Sequence, residues 1–130
     1  MKKTLLLPIA AFWTILFPHN SHSGEYTVNV PITVTMYNAE KSQTDSTPFL
    51  TASNTHVQDG IIALSKDLED EFELKFGDLV WVSGFPYPFV FADRTHNRMK
   101  RRADIFCWSK KEAKAFGKIN TNLLIRRRFH

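Results

Sequence analysis

A single cysteine, Cys107, stands in the 130 residues, so no intramolecular disulfide is available and the fold must rest on its apolar core. Cys107 lies inside the apolar run Ile105 to Trp108, where a thiol is ordinarily a small buried hydrophobe. A Cys/His nucleophile would draw on His56 or His96, and only residue type connects them. The apolar stretch Leu5 to Phe17 is too short for a transmembrane helix, and polar Pro18-His19-Asn20 follows it where a stop-transfer segment would carry basic residues. No second ligand accompanies His96 at metal-like spacing, so neither a metal nor a cofactor is expected. The chain also has no internal repeat, no linker able to separate two domains, and no alternation of strands with long helices of the kind that builds a parallel sheet.

The stretch before residue 24 has the layout of an export signal. Lys2 and Lys3 form a positive n-region, Leu5 to Phe17 an apolar h-region, and Ser21-His22-Ser23 a small-residue cleavage site. The expectation is a signal peptide over residues 1–23, a secreted or periplasmic protein without a stable membrane span, and one folded domain over residues 24–130. The rival is an uncleaved anchor, for which Pro8 and Pro18 are poor helix-interior residues. The formal charge is +4, and it falls to +2 once Lys2 and Lys3 are removed, so local clusters matter more than the total. Arg98, Lys100, Arg101 and Arg102 form one cluster and Arg126, Arg127 and Arg128 another. Each is a solvated face or an attraction to an anionic polymer, and outside the cytoplasm nucleic acid is not the expected partner.

The apolar fraction of 43% is ordinary for a globular domain. Tyr26 to Tyr37 alternates with period two, with Val28, Val30, Ile32, Val34 and Met36 on one side, and predicts a strand in which Pro31 marks an edge or a bend. Asn38 to Gln58 is polar, with a turn signal at Thr44 to Pro48 in which Asp45 reads as a turn former. Short strands are predicted at Ile61 to Leu64, Leu79 to Val82, Phe89 to Ala92, Asp104 to Trp108 and Ile119 to Ile125. Ser65 reads as the cap of a brief helical turn reaching Phe72. A capping box at Ser109 and Glu112, with Gly117 as C-cap, predicts a helix over Lys110 to Phe116. Five or six close-spaced strands with one or two small helices indicate a compact all-β barrel.

Two aspartates bracket the basic loop: Asp93 ends one apolar run and Asp104 opens the next. Around them stand, in order, Thr35-Met36-Tyr37, Thr51-Ala52-Ser53, Ile62-Ala63-Leu64-Ser65, Lys75-Phe76-Gly77-Asp78, Phe91-Ala92-Asp93-Arg94-Thr95, Ala103-Asp104-Ile105-Phe106 and Glu112-Ala113-Lys114-Ala115-Phe116-Gly117. This ordered set, from Thr33 onward, resembles the 3D domain family, small double-psi β-barrels that include the MltA lytic transglycosylases and related cell-wall proteins. Ser65 stands where the family's first aspartate would be, with Asp67 two residues on, and Arg94 to Asn97 replace the glycines that usually follow the second.

The resemblance implies a six-stranded double-psi β-barrel and a peptidoglycan lytic transglycosylase acting on glycan strands. It makes Asp104 the catalytic acid/base and Asp93 the neighbour that hydrogen-bonds and tunes it. A lytic transglycosylase protonates the glycosidic oxygen, and the resulting carboxylate deprotonates the muramyl C6 hydroxyl, so one acid is enough. That acid must hold its proton near neutral pH. Apolar Ala103, Ile105 and Phe106 and a like charge at Asp93 favour this, whereas Arg94, Arg101 and Arg102 oppose it unless they face outward toward substrate carboxylates. Within the same frame Thr35, Tyr37, Ser65, Asp67, Arg94 and His96 are the candidate substrate-binding residues. Tyr37 equally fits a core or rim position, and Ser65 a simple cap. The alternatives are a non-catalytic wall-binding barrel on the same fold and a protein-binding module that uses the basic loop Arg98 to Arg102.

Overall fold

The computed structural model describes residues 24–39 and 50–129. The expected signal peptide and the expected turn at Thr44 to Pro48, with Asp45, lie outside the described residues. The chain divides into two compact units, Asn29–Ile125 and a smaller one built from the two chain ends. Within the smaller unit the Tyr26 and Phe129 rings lie 5.7 Å apart. The Phe129 N–H donates to the Gly24 carbonyl, and Arg128 pairs with Glu25 at 3.5 Å.

Six strands close into a barrel: β1 (Glu25–Tyr37), β2 (Ile61–Leu64), β3 (Leu79–Val82), β4 (Phe89–Arg94), β5 (Arg102–Phe106) and β6 (Ile119–Arg128), in the order β1-β5-β2-β4-β3-β6. Two short helices, α1 (Lys66–Glu71) and α2 (Lys110–Phe116), complete the described elements. This is the expected six-stranded all-β barrel with two short helices. Strand β5 lies between β1 and β2, and β4 between β2 and β3, so that β1 pairs parallel with β5, β2 parallel with β4, and β2 antiparallel with β5.

The period-two pattern does what the pleat requires. Val30, Ile32 and Val34 of β1 are buried, as are Ile62 and Leu64 of β2, Val80 and Val82 of β3, Phe91 of β4, Ala103 and Ile105 of β5, and Leu123 and Ile125 of β6. These side chains fill the barrel, and the residues between them face outward. Pro31 is exposed and does not interrupt β1, because the β5 register begins beyond it, at Thr33.

Several boundaries differ from expectation. Strand β5 stops at Phe106 instead of Trp108, because the chain turns to start α2: the Cys107 thiol donates to the Ser109 carbonyl, and Ser109 Oγ accepts the Glu112 N–H. Strand β6 continues to Arg128, three residues past the predicted end. Ser65 occupies the N-cap position of α1 but makes no side-chain capping bond. Its Oγ accepts the Arg102 N–H at 3.0 Å instead, which ties the start of β5 to the end of β2. Gly117 closes α2 at φ +70, a conformation that costs glycine little.

Candidate active site

The outward-facing residues of three adjacent strands form one row. Ala63 of β2 pairs antiparallel with Asp104 of β5 and parallel with Asp93 of β4, while Thr35 of β1 pairs with Asp104 from the other side. Directly paired residues project to the same face, so both carboxylates flank Ala63, which is itself buried. Two strand spacings separate their backbones, about 10 Å.

A β-bulge puts Asp93 there. Ile62 pairs with Phe91 and the next residue, Ala63, pairs with Asp93, so Ala92 is an extra residue in β4. In a regular strand Asp93 would point the same way as Phe91, into the core. The bulge lets Ala92 and Asp93 both face outward, with Ala92 packed in a small apolar cluster with Val57, Ile61 and Phe106.

Asp93 is held on three sides. Tyr37 Oη donates to Oδ2 at 3.1 Å, and the Ala52 and Arg94 N–H groups each donate to Oδ1 at 2.9 Å. The Ala52 donor is presented by a turn locked through its own hydroxyls: Thr51, Ser53 and Thr55 lie within 2.8–2.9 Å of one another, and the Ser53 N–H reaches the Ala92 carbonyl. Burial, then the charge and hydrogen bond of Asp93, then the charge of Asp104 push the Tyr37 phenol well above its usual range, so it remains a neutral donor.

Asp104 is half-buried, and its carboxyl pKa is pushed up to about 6. Burial is the main cause, Arg102 opposes it, and the charge of Asp93 adds to it. Thr35 Oγ1 donates to Oδ1 of Asp104. A hydroxyl both donates and accepts, so Thr35 can serve either protonation state.

The other expected residues are not brought to this row. Ser65 is fully buried, bonded to the β5 backbone and to the Asp67 carboxylate. Asp67 clamps the turn before β5 by accepting the Arg101 N–H, at a position where Arg101 adopts φ +49. Burial pushes the Asp67 carboxyl up, but the Ser65 hydroxyl, the Arg101 N–H and the Arg101 charge outweigh it and hold it below its usual range. His96 is exposed in the loop, where its Nδ1 accepts the Arg98 N–H.

Two of the three arginines expected to face substrate are engaged with the protein. Arg94 makes a two-pronged pair with Glu69 at 2.7 and 2.8 Å and lies over the Phe76 ring. Arg101 pairs with Glu71 at 2.6 Å. Arg102, two residues before Asp104 on the same face of β5, donates to Met99 Sδ, and its Nε is buried without a hydrogen-bond partner. Arg94→Ala is expected to cost about 1 kcal/mol, because Arg94 is exposed although Glu69 beside it is mostly covered. Urea denaturation checks this, and a larger loss would mean the Phe76 contact dominates.

Sequence reasoning missed the Ala52 N–H and Ala63. Both sit inside motifs of the sequence, Thr51-Ala52-Ser53 and Ile62-Ala63-Leu64-Ser65, but their roles depend on strand pairing. Arg102 acts as the sequence predicts, as a charge that opposes the raised Asp104 pKa. Among the described residues no group of three or more His, Cys, Asp or Glu is arranged to hold a metal ion. No described helix is long and apolar enough to cross a membrane. No protein-family model matches the chain, and no curated protein matches it either.

Proposed function

We propose that the protein is an exported peptidoglycan lytic transglycosylase of the 3D-domain type, with Asp104 as its acid/base and Asp93 in support. The observation that carries this reading is the position of Asp104: half-buried, with a carboxyl pKa near 6, on an outward row that also holds Asp93. A carboxyl of that kind holds a proton at mildly acidic pH and releases it at neutral pH, as an acid that must then act as a base requires.

In the reaction, Asp104 gives its proton to the glycosidic oxygen between N-acetylmuramic acid and N-acetylglucosamine as the bond from C1 to that oxygen breaks. The Asp104 carboxylate then takes the proton of the muramyl C6 hydroxyl as O6 bonds to C1. The net result is transfer of one proton from O6 to the leaving oxygen and a 1,6-anhydro ring, with no water consumed. Thr35 orients the Asp104 carboxyl, and Asp93, kept in place by Tyr37 and two backbone N–H groups, supplies negative charge beside the developing positive charge at C1.

Incubation of the purified protein with peptidoglycan sacculi is expected to release 1,6-anhydromuropeptides detectable by mass spectrometry. Their absence would rule the reading out. Tyr37→Phe removes one of three donors to Asp93 and is expected to slow release by about tenfold, the worth of a hydrogen bond to a charged group. An unchanged rate would show that the two backbone donors suffice.

A second reading, a wall-binding barrel that does not cut, draws on Ser65. It is buried and committed to the β5 backbone, so the row carries two carboxylates and not three. Sedimentation with intact sacculi, without release of soluble fragments, would select it.

A further inference from the structure

Trp108 is 59% exposed, yet the chain is held on both sides of it. The residue before it is locked to β1, because the Cys107 N–H donates to the Tyr37 carbonyl at 2.8 Å. The residue after it, Ser109, caps α2. Its ring stands edge-on to Phe106, with centroids 4.7 Å apart at 86°. Phe106 in turn meets the Tyr37 ring at 5.6 Å and 72°, and Tyr37 donates to Asp93. An unbroken line of contacts thus joins an exposed indole to the carboxylate row.

The direction of β5 places this indole. Arg102, Asp104 and Phe106 alternate onto the outward face, with Asp104 and Phe106 about 7 Å apart at the usual rise per residue. Trp108 follows the end of the strand, and its ring contact keeps it beside Phe106. Leaving a large apolar ring in water forgoes burial free energy, and fixing it on both sides makes it ready for a partner without further ordering. The contact it offers is flat, apolar and uncharged, with one indole N–H at its edge.

We infer that Trp108 is a stacking platform for a pyranose ring, a subsite that holds the glycan strand on the Phe106 side of Asp104. The partner chemistry follows from the surface. A pyranose of a β-linked N-acetylhexosamine chain presents a face of C–H groups to an aromatic ring and keeps its hydroxyls in water. Phe106 is itself buried in its cluster, so a chain bound at Trp108 and running back toward Asp104 would pass above that covered ring, and one polymer engages both. The inference rests on the proposed site reading for its choice of ligand, though the platform holds a strand whether or not Asp104 cuts it.

The test is calorimetric titration of the purified protein with a β-1,4-linked N-acetylglucosamine hexamer and, separately, with the dimer. Trp108→Ala is expected to weaken hexamer binding by about tenfold, as loss of an aromatic anchor does. Trp108→Phe keeps a flat ring and is expected to stay close to wild type, with both variants melting at the wild-type temperature. Equal losses in the Ala and Phe variants, unchanged binding in both, or no hexamer binding by wild type would each overturn the inference. Normal release of 1,6-anhydro product beside an unchanged Trp108→Ala affinity leaves the cleavage reading standing while removing the platform. Hexamer binding that depends on Trp108 without any release does the reverse.

Discussion

Asp104→Asn is expected to abolish release of 1,6-anhydromuropeptides from sacculi, a fall of at least about a thousandfold, because the amide can neither give nor take the proton on which both steps depend. The wild-type rate should report the same group. Above about pH 6 the protonated fraction of Asp104 falls tenfold per pH unit, so the protonation step should slow along that limb. Arg102→Gln removes the one charge that lowers the Asp104 pKa and should move the limb to higher pH. A pH profile that is flat from 5 to 8, or an Asp104→Asn variant that still releases product, would exclude Asp104 as the acid.

The same substitution carries a stability signature that is independent of any substrate. The folded pKa of Asp104 lies above its ordinary value of 3.8, so between about pH 4 and 6 the folded chain holds a proton that the unfolded chain has released. Stability therefore falls as pH rises through that window, and above it the buried ionised carboxylate costs no more than about 3 kcal/mol. Asn does not titrate. Asp104→Asn should accordingly melt higher than wild type at pH 7 to 8, with the difference shrinking toward pH 4. Parallel melting curves for the two proteins across this range would mean that Asp104 is well solvated.

Phe91→Ala is expected to be the most damaging single truncation for the fold, at about 3–5 kcal/mol. Phe91 is the largest of the fully buried described side chains, and Phe76 packs against it with centroids 4.9 Å apart. It also pairs with Ile62 immediately before the bulge that turns Asp93 outward. The cavity would thus open directly beneath the carboxylate row, and the bulge would lose the inward anchor that sets its register. Urea denaturation measures the loss. A cost below about 1 kcal/mol would indicate that Phe76 and the β3 side chains collapse into the space.

How much of this was legible in the chain depended on how local the information was. Helix α2 followed from Ser109, Glu112 and Gly117, all within nine residues, and its bounds came out as expected. Strands β2 and β3 did as well, since short apolar runs between turn signals have few alternative fates. Ser65 takes the expected cap position, but its hydroxyl bonds elsewhere, to the Arg102 N–H 37 residues away. The arginines misled for a similar reason: Glu69 and Glu71 of α1 lay close enough to capture Arg94 and Arg101 once the chain had folded.

That Asp93 lies near the end of one strand and Asp104 near the start of the next was readable in the chain, as was the alternation that makes β1 two-faced. That much is set by side-chain period and strand propensity, which act between neighbours. Whether the two aspartates share a surface was not readable. It required Thr35 to reach Asp104 across 69 positions, Tyr37 to reach Asp93 across 56, and one extra residue in β4 to turn Asp93 out of the core. Strand order and bulges arise from how strands remote in sequence satisfy one another's backbone hydrogen bonds, and only the closed barrel decides that.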